Sequence, residues 1–104
     1  MSEDQMAGEL IVCAGNVRSL AMEAIAQGRQ GHFDRADLKL EEAGRALGEL
    51  HLRQKALLEE SLEKPQVSML MAHAHDHLMN AITVLDLAGE FCHLYRLLFT
   101  GAPG

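Results

Sequence analysis

Residues 70–98 read LMAHAHDHLMNAITVLDLAGEFCHLYRLL, and one set of positions in this stretch recurs at alternating steps of three and four. The set is Leu70, His73, His77, Asn80, Val84, Leu87, Phe91, Leu94 and Leu98. It is apolar except at three neighbouring positions near its start. Such a seam runs along one face of an α-helix and packs against other helices, so we predict a helix over about 67–98 with this seam facing the core.

Two upstream segments repeat the rhythm and predict helices over about 4–27 and 33–62. The first seam contains Met6, Leu10, Cys13, Val17, Leu20 and Ala24. The second contains Phe33, Ala36, Leu40, Ala43, Leu47, Leu50, Gln54 and Leu57, of which only Gln54 is polar.

Turn signals separate the three segments, one at the glycine-rich residues 28–32 and one around Pro65. Residues 99–104 resemble a frayed tail. Because no strand-like alternation competes, we predict an all-α protein with one domain over residues 1–104. Three long helices joined by short turns form an up-down-up, left-handed three-helix bundle.

The third segment is apolar on a second side as well, which carries Met71, Leu78, Ile82 and Leu85. A three-helix chain buries only one side of each helix. We therefore expect the second side to be covered by other subunits, so that the protein is an oligomer.

Composition narrows the class of protein. The chain has 104 residues, 48% of them hydrophobic, which suits one folded domain. Its formal charge is −6 and no basic cluster is present, which argues against binding to nucleic acid. No apolar run reaches about 18 residues and no basic signal sequence opens the chain, so a cytoplasmic protein is expected. Cys13 and Cys92 form no disulfide framework and are expected to pack in the core.

The three polar positions of the third seam, His73, His77 and Asn80, form a cluster with the adjacent Asp76, here called the polar island. With His73 taken as zero and about 100° per residue, Asp76 lies near −60° and His77 near +40°. His75 lies near 200°, on the opposite face of the helix. Only the members of the polar island therefore share a surface.

Residue types and spacing leave three interpretations of the polar island open. The first is a hydrogen-bonded layer that fixes the register of the helices. The second is a zinc site built on histidines at i and i+4, and the third is a nucleophilic site. In the third case an imidazole nitrogen of His73 accepts a phosphoryl group while neighbouring donors hold its oxygens. Helical rise places Gln54, the polar outlier of the second seam, at a height similar to that of His73.

Three segments resemble a known family, the lactose/cellobiose-type enzyme IIA components of the bacterial sugar phosphotransferase system, which includes the lactose, cellobiose and N,N′-diacetylchitobiose proteins. They are Ala14–Ala21 (AGNVRSLA), Ala46-Leu47 with His51–Gln54 (HLRQ), and His73–Met79 (HAHDHLM). The third is similar to the family's His-Ala-Gln-Asp-His-Leu-Met and is the most specific.

The resemblance implies a trimer of three-helix subunits, a nine-helix bundle, that carries phosphoryl groups during sugar uptake. His73 matches the residue that accepts the group from the histidine phosphocarrier protein and passes it to a cysteine of the cognate enzyme IIB. Asp76 matches an aspartate that binds a metal, expected to be one Mg²⁺ per trimer. His77 and Gln54 match positions near the site. We expect His77 to orient the site or bind the phosphoryl group, and Gln54 to line it.

His75 departs from the family pattern, which has Gln at that position. The alternative from another class is a non-catalytic helical-bundle interaction or regulatory module, in which the polar island is a structural layer.

Overall fold

The chain forms three long helices. The structure, a computed structural model, describes residues 2–61 and 68–100 apart from the side chains at positions 54 and 56–61. The helices are α1 (Glu3–Arg29), α2 (Phe33–Ser61) and α3 (Met69–Thr100). No strand occurs in the described ranges, so the predicted all-α class is confirmed. The predicted turn around Pro65 and residues 101–104 of the predicted tail lie outside the described residues, whereas residues 99 and 100 of that tail are helical.

Local signals in the sequence set the ends of α1. Ser2 accepts a hydrogen bond from the backbone N–H of Gln5, whose side chain accepts one from the Ser2 backbone, which makes a capping box. After α1, Gly31 has a φ of +82° in the turn that leads into α2. This left-handed conformation favours glycine, so Gly31 occupies the position within the predicted turn at 28–32 that requires a glycine.

Ion pairs and a thiol contact fix how the helices lie beside one another. Lys39 lies 3.3 Å from Glu23 and Arg53 lies 3.5 Å from Glu9, so α1 and α2 run antiparallel. The thiol of Cys92 donates to the carbonyl oxygen of Ala24 at 3.4 Å, which brings the C-terminal ends of α1 and α3 together. Helix α1 packs against both partners, whereas α2 and α3 touch each other much less. The left-handed twist of the bundle stays a prediction.

The core along α1 is a line of small residues. The buried positions are Ala7, Leu10, Ala14, Val17, Ala21, Ala24 and Gly28. This line shares Leu10, Val17 and Ala24 with the predicted seam, whereas Met6, Cys13 and Leu20 pack at its edge, only partly buried. Small side chains lie at the centre because they allow helix axes to approach closely.

The predicted orientation of α3 was wrong. Its buried residues are Ala74, Leu78, Ala81, Ala88 and Cys92, and Met71, Ile82 and Leu85 pack partly buried against the same core. The predicted seam instead faces outward, and Leu87 and Leu98 are 51% and 70% exposed. Both apolar sides exist as predicted, but the side predicted to face the core is the exposed one and the second side is buried. The alanine-rich side faces the core because its small residues let α3 approach α1 more closely.

The C-terminal end of α3 is anchored on the start of α2. The ring of Phe99 packs edge-on against Phe33 with centroids 5.4 Å apart, and Arg96 lies over the Phe33 ring. Arg96 also donates a 2.9 Å hydrogen bond to the carboxylate of Asp37. Helix α3 therefore extends to Thr100, two residues beyond its predicted end.

The two cysteines are free thiols, as the core interpretation requires. Cys13 is partly buried against the core, and Cys92 is 6% exposed. Burial raises the pKa of the Cys92 thiol, the nearby Asp37 carboxylate raises it further, and the Arg96 guanidinium opposes them. Among the described helices, none is long and apolar enough to cross a membrane.

Candidate functional site

The start of α3 positions the polar island. The hydroxyl of Ser68 accepts a hydrogen bond from the Met71 backbone N–H at 3.0 Å, and the Ser68 carbonyl accepts from Ala72 at 3.0 Å. This N-cap begins a regular helix immediately before His73. Residues four apart on that helix lie one above the other, so His73 and His77 are neighbours.

The two histidines form a close pair. The Nε2 atoms of His73 and His77 lie 3.1 Å apart, and the rings meet edge to face with centroids 4.6 Å apart. At this distance one imidazole donates its Nε2 proton and the other accepts it. The His73 side chain is exposed and that of His77 is half-buried. The pair thus presents an oriented imidazole to solvent.

The remaining members of the polar island are also on the surface. Asp76 and Asn80 are exposed on the outward side of α3, as His73 is. No polar or charged side chain is buried in the described parts of the chain, so the polar island is not a buried register layer within one bundle. The purely structural interpretation requires these polar residues to be buried, and within a single chain they are not.

The other residues that were predicted near the site are His75, Gln54 and Cys13, and the structure answers differently for each. His75 is exposed, and so is His73, although the two lie about 200° apart around the helix, because the buried side of α3 lies between them. The side chain of Gln54 lies outside the described residues, so the predicted composite site stays a prediction. Cys13 belongs to the core, as expected.

The described side chains of one chain do not assemble a metal site with three or more ligands. Across residues 2–61 and 68–100, as far as their side chains are described, no group of three or more His, Cys, Asp or Glu side chains is placed to hold a metal ion. The expected Mg²⁺ site needs one Asp76 from each of three subunits, and a single chain supplies one such carboxylate.

An apolar stripe on the outward side of α3 continues from the polar island. We call it the outer stripe: Leu87, Phe91, Leu94 and Leu98, which are 44–70% exposed. The periodicity of the sequence predicts these residues as one apolar face, but the predicted location in the core was wrong. Their larger size compared with Ala74, Ala81 and Ala88 is the signal that separates the two sides.

Sequence comparison identifies the class. Residues 5–96 match the family described as "PTS system, Lactose/Cellobiose specific IIA subunit". The chain therefore belongs to the lactose/cellobiose-specific IIA subunits of the phosphotransferase system, as its motifs predict.

Individual relatives show how far the similarity extends. The chain is 43% identical over 95 residues to the lichenan-specific phosphotransferase enzyme IIA component of Bacillus subtilis (strain 168), covering 89% of this chain and 86% of that protein. It is 37% identical over 91 residues to the N,N′-diacetylchitobiose-specific EIIA component of Escherichia coli (strain K12), covering 86% and 78% respectively.

Solved structures extend the similarity to the fold. The crystal structure of the cellobiose-specific enzyme IIA from Bacillus anthracis superposes with a TM-score of 0.88 at 43% identity, over 98% of this chain and 96% of that one. The chitobiose IIA of Escherichia coli, solved in solution as a complex with HPr, superposes with a TM-score of 0.85 at 33% identity, over 94% and 97%.

Proposed function

We propose that this protein is a phosphoryl carrier that accepts the group on His73 from HPr, the histidine phosphocarrier protein, and passes it to a cysteine of the cognate enzyme IIB during sugar uptake. The observation that carries the proposal is the exposed imidazole of His73, held 3.1 Å from His77 in a chain of the IIA family. Exposure matters because the donor and acceptor are separate proteins that must each reach the same nitrogen.

The proposed phosphoryl transfer requires few functional groups from this chain. A bond from phosphorus to His73 forms as the bond to the donor's histidine breaks, and the group later moves to a cysteine sulfur. Such transfers pass through a loose transition state and depend on in-line positioning and charge stabilisation. His77 supplies an N–H that orients His73 or donates to a phosphoryl oxygen. Gln54 is assigned to the lining of the same site.

Replacement of the nucleophile tests the proposal directly. His73→Gln lies on an exposed surface, so the variant should fold with unchanged helix content. Incubated with phosphoenolpyruvate and the general phosphocarrier proteins, wild type should gain one acid-labile, base-stable phosphoryl group by mass. The variant should gain none, because glutamine offers no nucleophilic nitrogen. Phosphorylation of the variant would refute the assignment of His73.

We also infer that three chains assemble through α3. The outer stripe exposes four large apolar side chains, which a solvated monomer rarely leaves together. Three α3 helices packed around a threefold axis would bury these stripes and form the nine-helix bundle that the family resemblance implies. The polar island would then lie at one end of the interface.

The trimer would bring three copies of Asp76 together, and this is where Mg²⁺ is proposed to bind. Asp76 is exposed on the outward side of α3, so its carboxylate is available to such a site. Gathered carboxylates repel one another, and a hard divalent ion with oxygen ligands offsets that repulsion.

Asp76→Asn separates assembly from metal binding, because it removes charge and nearly preserves shape. The variant should remain trimeric but lose bound Mg²⁺ and become insensitive to a chelator, whereas wild type should loosen when chelated. Sedimentation with and without chelator measures both. Asp86→Asn, an equal change at an exposed position of the same helix, is the matched control and should behave as wild type. A wild type that is monomeric or dimeric in the presence of Mg²⁺ would contradict the proposed trimer.

A further inference from the structure

The pairing of His73 with His77 has a second chemical capacity besides accepting a phosphoryl group. Both facing atoms are Nε2, the pair is solvent-accessible, and the two residues sit on one rigid helix. Neutral imidazole nitrogens that converge in this way are ligands for first-row transition metals. The distance between them decides whether one ion can bind both.

The measured separation fits a chelated ion. Zinc binds histidine nitrogen at about 2.0–2.1 Å, so two nitrogens 3.1 Å apart subtend an angle of about 98° at the metal. This angle lies between the values for octahedral and tetrahedral coordination. An ion can therefore bridge the two nitrogens without any movement of the helix, provided that both rings carry their proton on Nδ1 and turn so that their Nε2 lone pairs point at the ion rather than at each other.

We propose that His73 and His77 bind Zn²⁺ as a two-histidine chelate, and that the bound ion prevents phosphoryl acceptance at His73. The second half of this proposal rests on the proposed function, whereas the binding itself does not. The ion occupies the Nε2 lone pair of His73 and places positive charge on its ring, which weakens it as a nucleophile. By linkage, phosphorylation of His73 must weaken Zn²⁺ binding by the factor by which bound Zn²⁺ lowers the equilibrium constant for phosphorylation.

The ligand set also predicts which ions bind and how tightly. No third His, Cys, Asp or Glu of the described side chains completes a metal site, so water fills the remaining positions and binding is reversible. Imidazole favours Zn²⁺, Ni²⁺ and Cu²⁺ over Mg²⁺, which prefers oxygen. The chelate is therefore distinct from the Mg²⁺ site proposed at Asp76.

Direct titration with Zn²⁺ tests the binding step. Wild type should bind one ion per chain, and His73→Gln and His77→Gln should each weaken binding at least about 10-fold, since loss of a ligand costs no less than loss of an outer-shell partner. His75→Gln, which removes a histidine from the other face of α3, is the matched control and should bind as wild type. Equal binding by all four proteins, or no binding by wild type, overturns the proposal.

Phosphorylation measured at increasing Zn²⁺ tests the regulatory step. Acceptance by wild type should fall as the titrated site fills and should recover when a chelator removes the ion. His77→Gln keeps the proposed acceptor His73 and should still accept the group, although more slowly, and this acceptance should not respond at the same Zn²⁺ concentrations. Phosphorylated wild type, freed of reagents, should bind Zn²⁺ more weakly than unmodified protein. If Zn²⁺ binds but acceptance does not change, regulation is refuted, whereas absence of phosphorylation without Zn²⁺ refutes the proposed function instead.

Discussion

The two apolar sides of α3 differ in the size of their residues, and that difference determines their roles. The inward side consists largely of alanines around Leu78, and it lies against α1. The outer stripe has Phe91 and three leucines, each 44–70% exposed. Small residues let helix axes approach closely within one chain, whereas large residues leave surface that another chain can bury.

The side chains that α3 contributes to the proposed phosphoryl-transfer site lie on its outward side. His73, Asp76 and Asn80 are exposed there, at the N-terminal end of the face that the outer stripe continues. A site that exchanges phosphoryl groups with two proteins has to be reachable, whereas the core beneath it has to be rigid. Within one chain, the outward position of His73, Asp76 and Asn80 keeps these side chains hydrated and avoids the cost of burial, about 1–3 kcal/mol for each unpaired polar group.

Truncation of one leucine on each side of α3 gives the largest expected effect on stability. Leu78 is 1% exposed, so Leu78→Ala should lower the free energy of unfolding by about 2–5 kcal/mol through a lost contact and a cavity. Leu87 is 51% exposed, so Leu87→Ala should cost about 1 kcal/mol or less in the isolated chain.

Urea unfolding at several protein concentrations separates packing within one chain, which involves Leu78, from association between chains, which is proposed to involve Leu87. The unfolding midpoint of wild type should rise with concentration if subunits associate through the outer stripe. Leu87→Ala should reduce that dependence, whereas Leu78→Ala should lower the midpoint at every concentration. Equal losses in both variants at low concentration would mean that the inward and outward sides are assigned incorrectly.

Periodicity was sufficient to predict the helices. The predicted segments 4–27, 33–62 and 67–98 differ by at most two residues at each end from α1, α2 and α3. The seam of α2 is confirmed as far as its side chains are described, since Ala36, Ala43 and Leu50 are buried, whereas Gln54 and Leu57 lie outside the described side chains. In α2 only one side is apolar, so hydrophobicity alone identifies the inward side.

Periodicity could not orient α3, because both of its sides are apolar. The deciding quantity is how closely α3 approaches α1, which depends on the volumes of residues such as Ala74 and Ala81 rather than on their hydrophobicity. The pairing of His73 with His77 was predictable from their spacing of four. The distance of 3.1 Å between their Nε2 atoms depends on side-chain conformation and needed the structure.

Ionisation of the inward thiol provides a smaller test of the inward side. Burial holds the pKa of Cys92 above its ordinary value of 9.0, so the folded state retains this proton where the unfolded state loses it. Its contribution to stability is therefore fully present below about pH 9 and is lost as pH rises through the folded pKa. The free energy of unfolding should fall in that range for wild type. Cys92→Ala should have a lower stability at neutral pH but a shallower decline above pH 9, and an unchanged slope would place the thiol in solvent.

His75→Gln should have the smallest effect and tests the face assignment beside the site. His75 is exposed and lies about 200° from His73 around α3, so its replacement by the residue typical of the family should change the free energy of unfolding by less than about 0.5 kcal/mol. Phosphoryl acceptance should also stay close to the wild-type rate, because the His73–His77 pair does not include this ring. Initial rates of phosphorylation, measured beside those of His77→Gln, provide the scale, since the latter should be clearly slower. Loss of most activity in His75→Gln would show that His75 reaches the reacting group from a neighbouring subunit, where an angle measured within one helix does not apply.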